Sequence, residues 1–372
     1  PFTLVVAGCM AQRLGRALRS DFPAVDYVMG TAARSLFPLL LEALEGGLLF
    51  DGSSFEEGVF SFSPSHLEEG AFRSFVPIMH GCNNFCSYCI VPYVRGREVS
   101  RDPESLMSEI RLLAERGVRE ITLLGQNVNS YRRAPRGEVS GGDWDFPRLL
   151  SHVARAIKDT PIERVRFLSA NPGDFSEETI RVMAENPCFC RHLHLPVQHG
   201  SNRILEGMNR RYTRESFLAL TKALKEAMPD LSLSTDILVG FPGETGEDLD
   251  LTLDLMERVK FLYAYTYHYN PREGTAAFSL PGRVDEGVKR KRLAKVIALQ
   301  KLHTLQLLQE RIGGTEKVLI EGISRKNADE LVSRTERDEM AVLPGTADMI
   351  GAFAQVKLLS LRGNTFRAKP LE

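Results

Sequence analysis

The stretch Phe75–Arg101, FVPIMHGCNNFCSYCIVPYVRGREVSR, sets Cys82, Cys86 and Cys89 just past a short apolar run that reads as a strand. Their C-x3-C-x2-C spacing puts three thiols within eight residues, on a loop, where all can face one inorganic centre. Three is one fewer than a closed iron–sulfur or zinc site requires. The deficit leaves one metal position for something that is not protein. Two other readings stand beside this one: a zinc knuckle with an unseen fourth ligand, and buried structural thiols.

Composition bounds the rest. A chain of 372 residues suggests two or three domains. Its 43% apolar and 26% charged residues are ordinary for a globular protein with a sizeable core. The net charge of −1 gives no global basic field, so any nucleic acid must be held by local patches. Cysteines are few and clustered, which favours metal over disulfides and a reducing compartment. No run approaches the roughly 18 apolar residues of a membrane span, and no signal peptide is visible. The expected location is cytoplasmic, with no membrane partner. The chain starts at Pro1 and enters a strand at once, so we expect its natural start to lie upstream.

Outward from the cysteines, strand and helix alternate. Thr3–Ala7 and Tyr27–Met29 read as strands, and Met10–Leu18 and Ser35–Leu44 as helices. This is the tail of an open α/β domain, ending at a linker over 46–70. Cys9 sits where a parallel strand gives way to a helix, an edge where such sheets keep ligands. A lone buried thiol is the equal alternative. From Arg73 six strands follow: Phe75–Met79, Glu120–Leu124, Arg164–Ser169, His192–Pro196, Leu231–Val239 and Phe261–Tyr267. Helices near Pro103–Arg116, Phe146–Lys158, Ser176–Glu185, Arg214–Ala227 and Glu247–Val259 separate them. Six such steps make a parallel sheet, open or curled into a partial barrel, with chemistry on the loops after the strands. Cys82, Gly125-Gln126-Asn127, Ser169, Gln198 and Gly240 all fall there. Gly287–Arg311 is a basic helix that reads first as a solvated face. Thr315–Lys369 reads as short strands with turns, a small all-β domain.

The cysteine triplet, with Tyr88 before its last member, resembles the signature of radical S-adenosylmethionine (SAM) proteins. In that family three cysteines hold a [4Fe–4S] cluster whose fourth iron is chelated by SAM, and an electron from the cluster releases a 5′-deoxyadenosyl radical. The resemblance implies that Cys82, Cys86 and Cys89 are metal ligands. It also implies that Gly125 and Gln126 meet the methionine part of SAM, and that Gly240, within DILVGFPGE (Asp236–Glu244), lines its adenine. The fold implied is a partial (β/α)6 barrel over 68–304, preceded by the remnant of an open α/β domain (1–67) and followed by a small all-β TRAM domain (308–372).

Further blocks narrow the resemblance. VVAGCMAQ (Val5–Gln12), LLGQNVNSY (Leu123–Tyr131), HLHLPVQHGSNRILEGMNRRYTR (His192–Arg214), STDILVGFPGET (Ser234–Thr245) and YNPREGT (Tyr269–Thr275) are similar to the bacterial tRNA methylthiotransferases. The branch implied methylthiolates C2 of N6-isopentenyladenosine beside the tRNA anticodon. The same resemblance makes Cys9 one of three ligands of an auxiliary [4Fe–4S] cluster that supplies the sulfur; the other two would lie upstream. It implies two clusters in the full-length protein and one in this chain, an electron donor such as flavodoxin or ferredoxin, a monomer, and the tRNA anticodon stem-loop as partner. On that reading this chain cleaves SAM without methylthiolating RNA. The alternatives are a methylthiotransferase acting on an aspartate of a ribosomal protein and a non-catalytic, metal-stabilised RNA-binding module. Residues Leu308–Glu372 carry ten Lys/Arg and ten Asp/Glu. RNA phosphates there must meet a local cluster drawn from Arg325, Lys326, Arg334, Arg337, Arg362, Arg367 and Lys369. Cys188, Cys190, His192, His194 and His199 receive no chemical role.

Overall fold

The computed structural model describes residues 2–47, 62, 69–134 and 143–371. The linker expected over 46–70 falls almost entirely outside them. Strands Val5–Ala7 and Tyr27–Met29 pair in parallel over a small core of Met29, Ala33 and Leu40. The single helix expected over Met10–Leu18 is two, Cys9–Leu14 and Arg16–Asp21. The break is at Gly15, whose φ of 50° no helix accommodates.

The central domain has the expected six parallel strands in two groups of three. Arg73–Pro77, Glu120–Leu124 and Arg164–Phe167 form one group; His192–His194, Ser232–Val239 and Tyr263–His268 form the other. Backbone bonds join the groups: Val165 donates to the Cys188 carbonyl at 2.7 Å and accepts from Cys190 at 3.0 Å. The C-x-C pair thus serves the sheet. Alternation along each strand divides its residues. Val76, Ile121, Leu123, Val165, Leu193, Leu233 and Ile237 join the buried apolar core with the outer helices. Glu120 and Arg166, from positions of the other parity, pair at 3.2 Å. Five of the outer helices begin at a side chain that accepts a backbone N–H: Asp102, Asp145, Ser176, Thr213 and Thr245. Such a cap is worth about 1 kcal/mol, and it fixes where each loop at the strand ends becomes a helix.

The C-terminal part is a closed five-stranded barrel in the order Thr315–Ser324, Asn327–Thr335, Met340–Pro344, Thr365–Pro370, Phe353–Arg362. It docks on the N-terminal ends of the central strands, away from the cysteine loop. Arg164 donates to the carbonyls of Arg334 (3.0 Å) and Lys317, Arg166 to those of Thr335 (2.9 Å) and Glu336 (3.1 Å), and Ser232 to that of Arg337 (3.1 Å). Helix Glu286–Gln309 leads into it, and Leu308 and Leu262 enter the small barrel's core. The helix is only partly a solvated face. Lys289 is buried against the Tyr269 carbonyl (3.0 Å), and Arg292 holds Glu244 (2.9 Å); Arg290, Lys291, Lys295 and Lys301 are exposed.

Candidate functional site

The three cysteines lie on a loop closed at its base. Met79–His80 pairs with Val99–Ser100, so the chain between them leaves and re-enters at one point. Gly81 makes the entry turn with φ 78°; a Cβ there would lie 2.1 Å from the Arg97 carbonyl oxygen, so no other residue fits. Within the loop Cys82 N–H donates to the Gly96 carbonyl (3.2 Å) and Cys89 N–H to that of Cys86 (2.9 Å). Asn83 and Glu98 clasp the two halves through three hydrogen bonds of 3.1–3.3 Å.

Other strand ends hold the loop from outside. Gln126 Oε1 accepts the Gly81 N–H at 2.7 Å. Gly125 packs on Met79, where a Cβ would lie 2.5 Å from that side chain. Asn127 Nδ2 donates to Glu98 (3.2 Å), Ser130 and Asp174 (2.9 Å). From the far side Ser87 bonds the carbonyls of Met208 (2.9 Å) and Gly207 (2.8 Å), and Asn209 bonds those of Asn84 (3.2 Å) and Phe85 (2.9 Å). Arg210 Nη1 reaches the Cys86 sulfur at 3.4 Å. The sequence reading missed Arg210; its lone signal was a run of basic residues in NRRYTR.

Gly240 lies on the same face in a turn of its own. Its φ is 74°, its N–H goes to Glu244 (2.5 Å), and Lys289 fills the direction a side chain would take. Glu244 is the hub here: it also accepts from Phe241 N–H (3.2 Å) and Arg292, and lies 3.4 Å from His199 Nε2. His199 is buried, and its Nδ1 accepts the Ser201 N–H at 3.0 Å. The ring proton is therefore on Nε2, toward Glu244. His199 is a structural post between two loops.

Cys9 opens helix Cys9–Leu14 beside Gly8. Gly8, Ala7, Gly30 and Thr31 face His80 and Arg95 across a cleft of about 510 Å³. Thr31 Oγ1 bridges the two sides to the Val94 carbonyl at 2.5 Å. The C-terminal edge of the first sheet thus meets the root of the cysteine loop. Tyr265 and Tyr267 share one face of the last central strand and are 56% and 53% exposed. Tyr265 stands edge-on to His194 at 5.5 Å, and Tyr267 is in register with Leu238, which packs in a cluster with Tyr88.

All six cysteines are free thiols. Burial pushes Cys82 up to about 11 and raises Cys89 as well. Iron must therefore displace protons on binding. Among the described residues, no three His, Cys, Asp or Glu side chains gather around a single-ion position. A four-iron cluster instead takes each thiolate on a different iron. Two buried polar atoms flank the loop without a partner among the described residues, the acceptor Asn127 Oδ1 and the donor Arg210 Nε. An α-amino acid presents one group complementary to each. The residues present fit a three-cysteine [4Fe–4S] cluster with SAM.

Comparison with known proteins decides the family. The radical SAM superfamily model matches residues 76–256, and the TRAM domain model matches 309–371. The tRNA-2-methylthio-N(6)-dimethylallyladenosine synthase of Treponema pallidum is 48% identical over 99% of this chain and 83% of its own length. That of Thermoanaerobacter sp. is 42% identical over 99% of this chain and 77% of its own. The chain belongs to the tRNA-2-methylthio-N(6)-dimethylallyladenosine synthase family. The fold has solved counterparts. The radical SAM methyltransferase TsrM from Kitasatospora setae, with cobalamin and a [4Fe–4S] cluster bound, superposes with a TM-score of 0.58 at 18% identity, over 74% of this chain and 58% of that one. Its form with tryptophan and a SAM analogue gives 0.54 at 19% identity, over 71% and 55%. Membership in the synthase family carries the radical SAM barrel, the TRAM domain, a [4Fe–4S] cluster and SAM to this chain. Among the described residues no helix is long and apolar enough to cross a membrane.

Proposed function

We infer that this protein is a tRNA methylthiotransferase acting at C2 of N6-isopentenyladenosine. The observation that carries the reading is the free thiol triplet Cys82, Cys86 and Cys89 at the C-terminal end of the barrel, in a chain 42–48% identical to synthases of that product. With cluster and SAM bound, the site supplies a 5′-deoxyadenosyl radical, which can activate a carbon that polar chemistry leaves inert.

The chain's own residues hold and orient. Cys82, Cys86 and Cys89 are the proposed ligands, on a loop braced by Gln126, Asn127 and the 207–210 segment. Gly125, Gln126 and Gly240 are proposed to line the cofactor, supported by their common face. Cys9 is proposed as a ligand of the auxiliary cluster, supported by its position directly after Gly8, which lines the cleft opposite His80 and Arg95. The base enters from the face that carries Tyr265 and Tyr267, stacking being the way proteins hold splayed RNA bases.

The TRAM barrel supplies phosphate contacts from its exposed cations. Arg334 is engaged with Glu321 and Asp338 (both 2.9 Å), Arg337 lies 3.9 Å from Asp230, and Arg367 pairs with Glu330 at 2.7 Å. Arg325, Lys326, Arg362 and Lys369 are exposed and carry no ion pair among the described residues. Lys357 stands opposite Lys369 in register. Because this domain docks at the far end of the central strands, the RNA must run along the barrel's flank. An anticodon stem-loop has the length for that. We place the reaction in the cytoplasm, with a monomeric enzyme and a low-potential donor such as ferredoxin or flavodoxin.

The test is mass spectrometry of tRNA nucleosides from a strain lacking its own methylthiotransferase, with and without the native gene for this protein. Restoration of the methylthio nucleoside is expected. Unmodified tRNA together with a methylthiolated ribosomal protein would overturn the reading.

A further inference from the structure

Arg210 lies between helices Asn202–Gly207 and Arg214–Ala227, on the segment that backs the cysteine loop. Its guanidinium has an unusual set of neighbours. Nη1 is 3.4 Å from the Cys86 sulfur and Nη2 donates to the Pro196 carbonyl at 3.2 Å. The Tyr212 ring lies 5.5 Å from the guanidinium carbon, and the Tyr212 hydroxyl bonds the Pro196 and Val197 carbonyls at 3.1 and 2.9 Å. Nε is enclosed without a partner among the described residues. No carboxylate pairs with Arg210 among the described residues. Two well-buried guanidiniums of the central domain do have carboxylates: Arg101 has Glu109 and Arg166 has Glu120.

A half-buried guanidinium with an enclosed Nε and no counter-anion is costly. Nε is left for the carboxylate of an α-amino acid; for Nη1, the group of this chain in contact that can become an anion and stay one is the Cys86 sulfur, once bound to iron. We propose that Arg210 is a positioning residue for the three-cysteine cluster: it donates a charge-assisted hydrogen bond to the Cys86 sulfur and so makes the cluster easier to reduce. Adding one electron makes the cluster more negative. A fixed cation in hydrogen-bond contact with a ligand sulfur stabilises that reduced state more than the oxidised one. Arginine keeps its proton throughout the working pH range, so its charge is constant. The Pro196 bond anchors the guanidinium to the loop after the fourth strand, which stops it from following solvent away from the sulfur. The inference rests on the reading that Cys82, Cys86 and Cys89 hold a cluster.

The experiment is a potentiometric titration of the anaerobically reconstituted chain, followed by electron paramagnetic resonance, for wild type, Arg210→Lys and Arg210→Met. Absence of iron and signal from wild type would remove the underlying cluster reading. With iron loaded equally, the midpoint potential should be lowest in Arg210→Met and intermediate in Arg210→Lys. Equal potentials in wild type and Arg210→Met overturn the inference while leaving the cluster in place. If Arg210→Met does not load iron, wild type and Arg210→Lys grown with heavy-nitrogen arginine decide. Pulsed resonance of the reduced cluster should show a weak coupling to labelled nitrogen that Arg210→Lys loses. A wild-type cluster without that coupling overturns the proposal.

Discussion

Gln126, at the end of the second central strand, accepts the backbone N–H of Gly81 at 2.7 Å, one residue before Cys82. A side chain from one strand end thus fixes the entry of the metal loop on the next. Replacing it by alanine leaves a part-buried N–H unpaired, a cost of about 1–3 kcal/mol to the loop's geometry. We expect Gln126→Ala to fold but to lose iron to a chelator several-fold faster than wild type. An unchanged rate would mean the loop holds its shape without the brace.

Glu244 serves four partners: Gly240 N–H, Phe241 N–H, His199 and Arg292. Its side chain is fully enclosed and that of Arg292 is nearly so. Glu244→Ala therefore strands a buried cation and two amides. A destabilisation on the order of 3–5 kcal/mol is expected in urea unfolding, the range for breaking a buried pair by removing one member. A loss below about 1 kcal/mol would show that water replaces the carboxylate.

His192 gives a pH dependence. Burial, with help from Arg166, pulls it from 6.5 down to about 4, against the partial opposition of Asp338. The unfolded chain takes up a proton here before the folded one does. Stability from this group is thus complete above pH 6.5 and falls as pH drops from there to about 4. The total is no more than about 3 kcal/mol. Urea midpoints of wild type should fall over that window, and His192→Asn should flatten the fall. Parallel profiles would exclude His192 as the source.

Tyr265 and Tyr267 test the route of the base. Stacking on an aromatic ring is worth about 1–3 kcal/mol per base. Alanine at either position should raise the Kd for tRNA about fivefold or more, with SAM cleavage in the absence of tRNA unchanged. If tRNA affinity is untouched in the double variant, the base enters elsewhere.

Much of this was legible in the residues. Strand and helix periods located the six-step core, and the triplet spacing located the loop. Pattern did not reveal what depends on contacts between distant segments. Gly15 splits a helix that apolar spacing made continuous. Lys289 and Arg292 turn inward from a helix whose charges read as solvated, because Tyr269 and Glu244 wait beneath. Arg334 and Arg337 looked free for phosphates, yet lie against the central barrel. Arg210 had no signal beyond being one basic residue among several; its contact with Cys86 crosses 124 positions of sequence.

The most direct test of the central claim is SAM cleavage by the anaerobically reconstituted chain, compared with Cys82→Ala, Cys86→Ala and Cys89→Ala. Wild type should bind about four irons at the triplet and release 5′-deoxyadenosine on reduction, and each variant should release none. Zinc in place of iron, or 5′-deoxyadenosine from any of the three variants, would contradict the account.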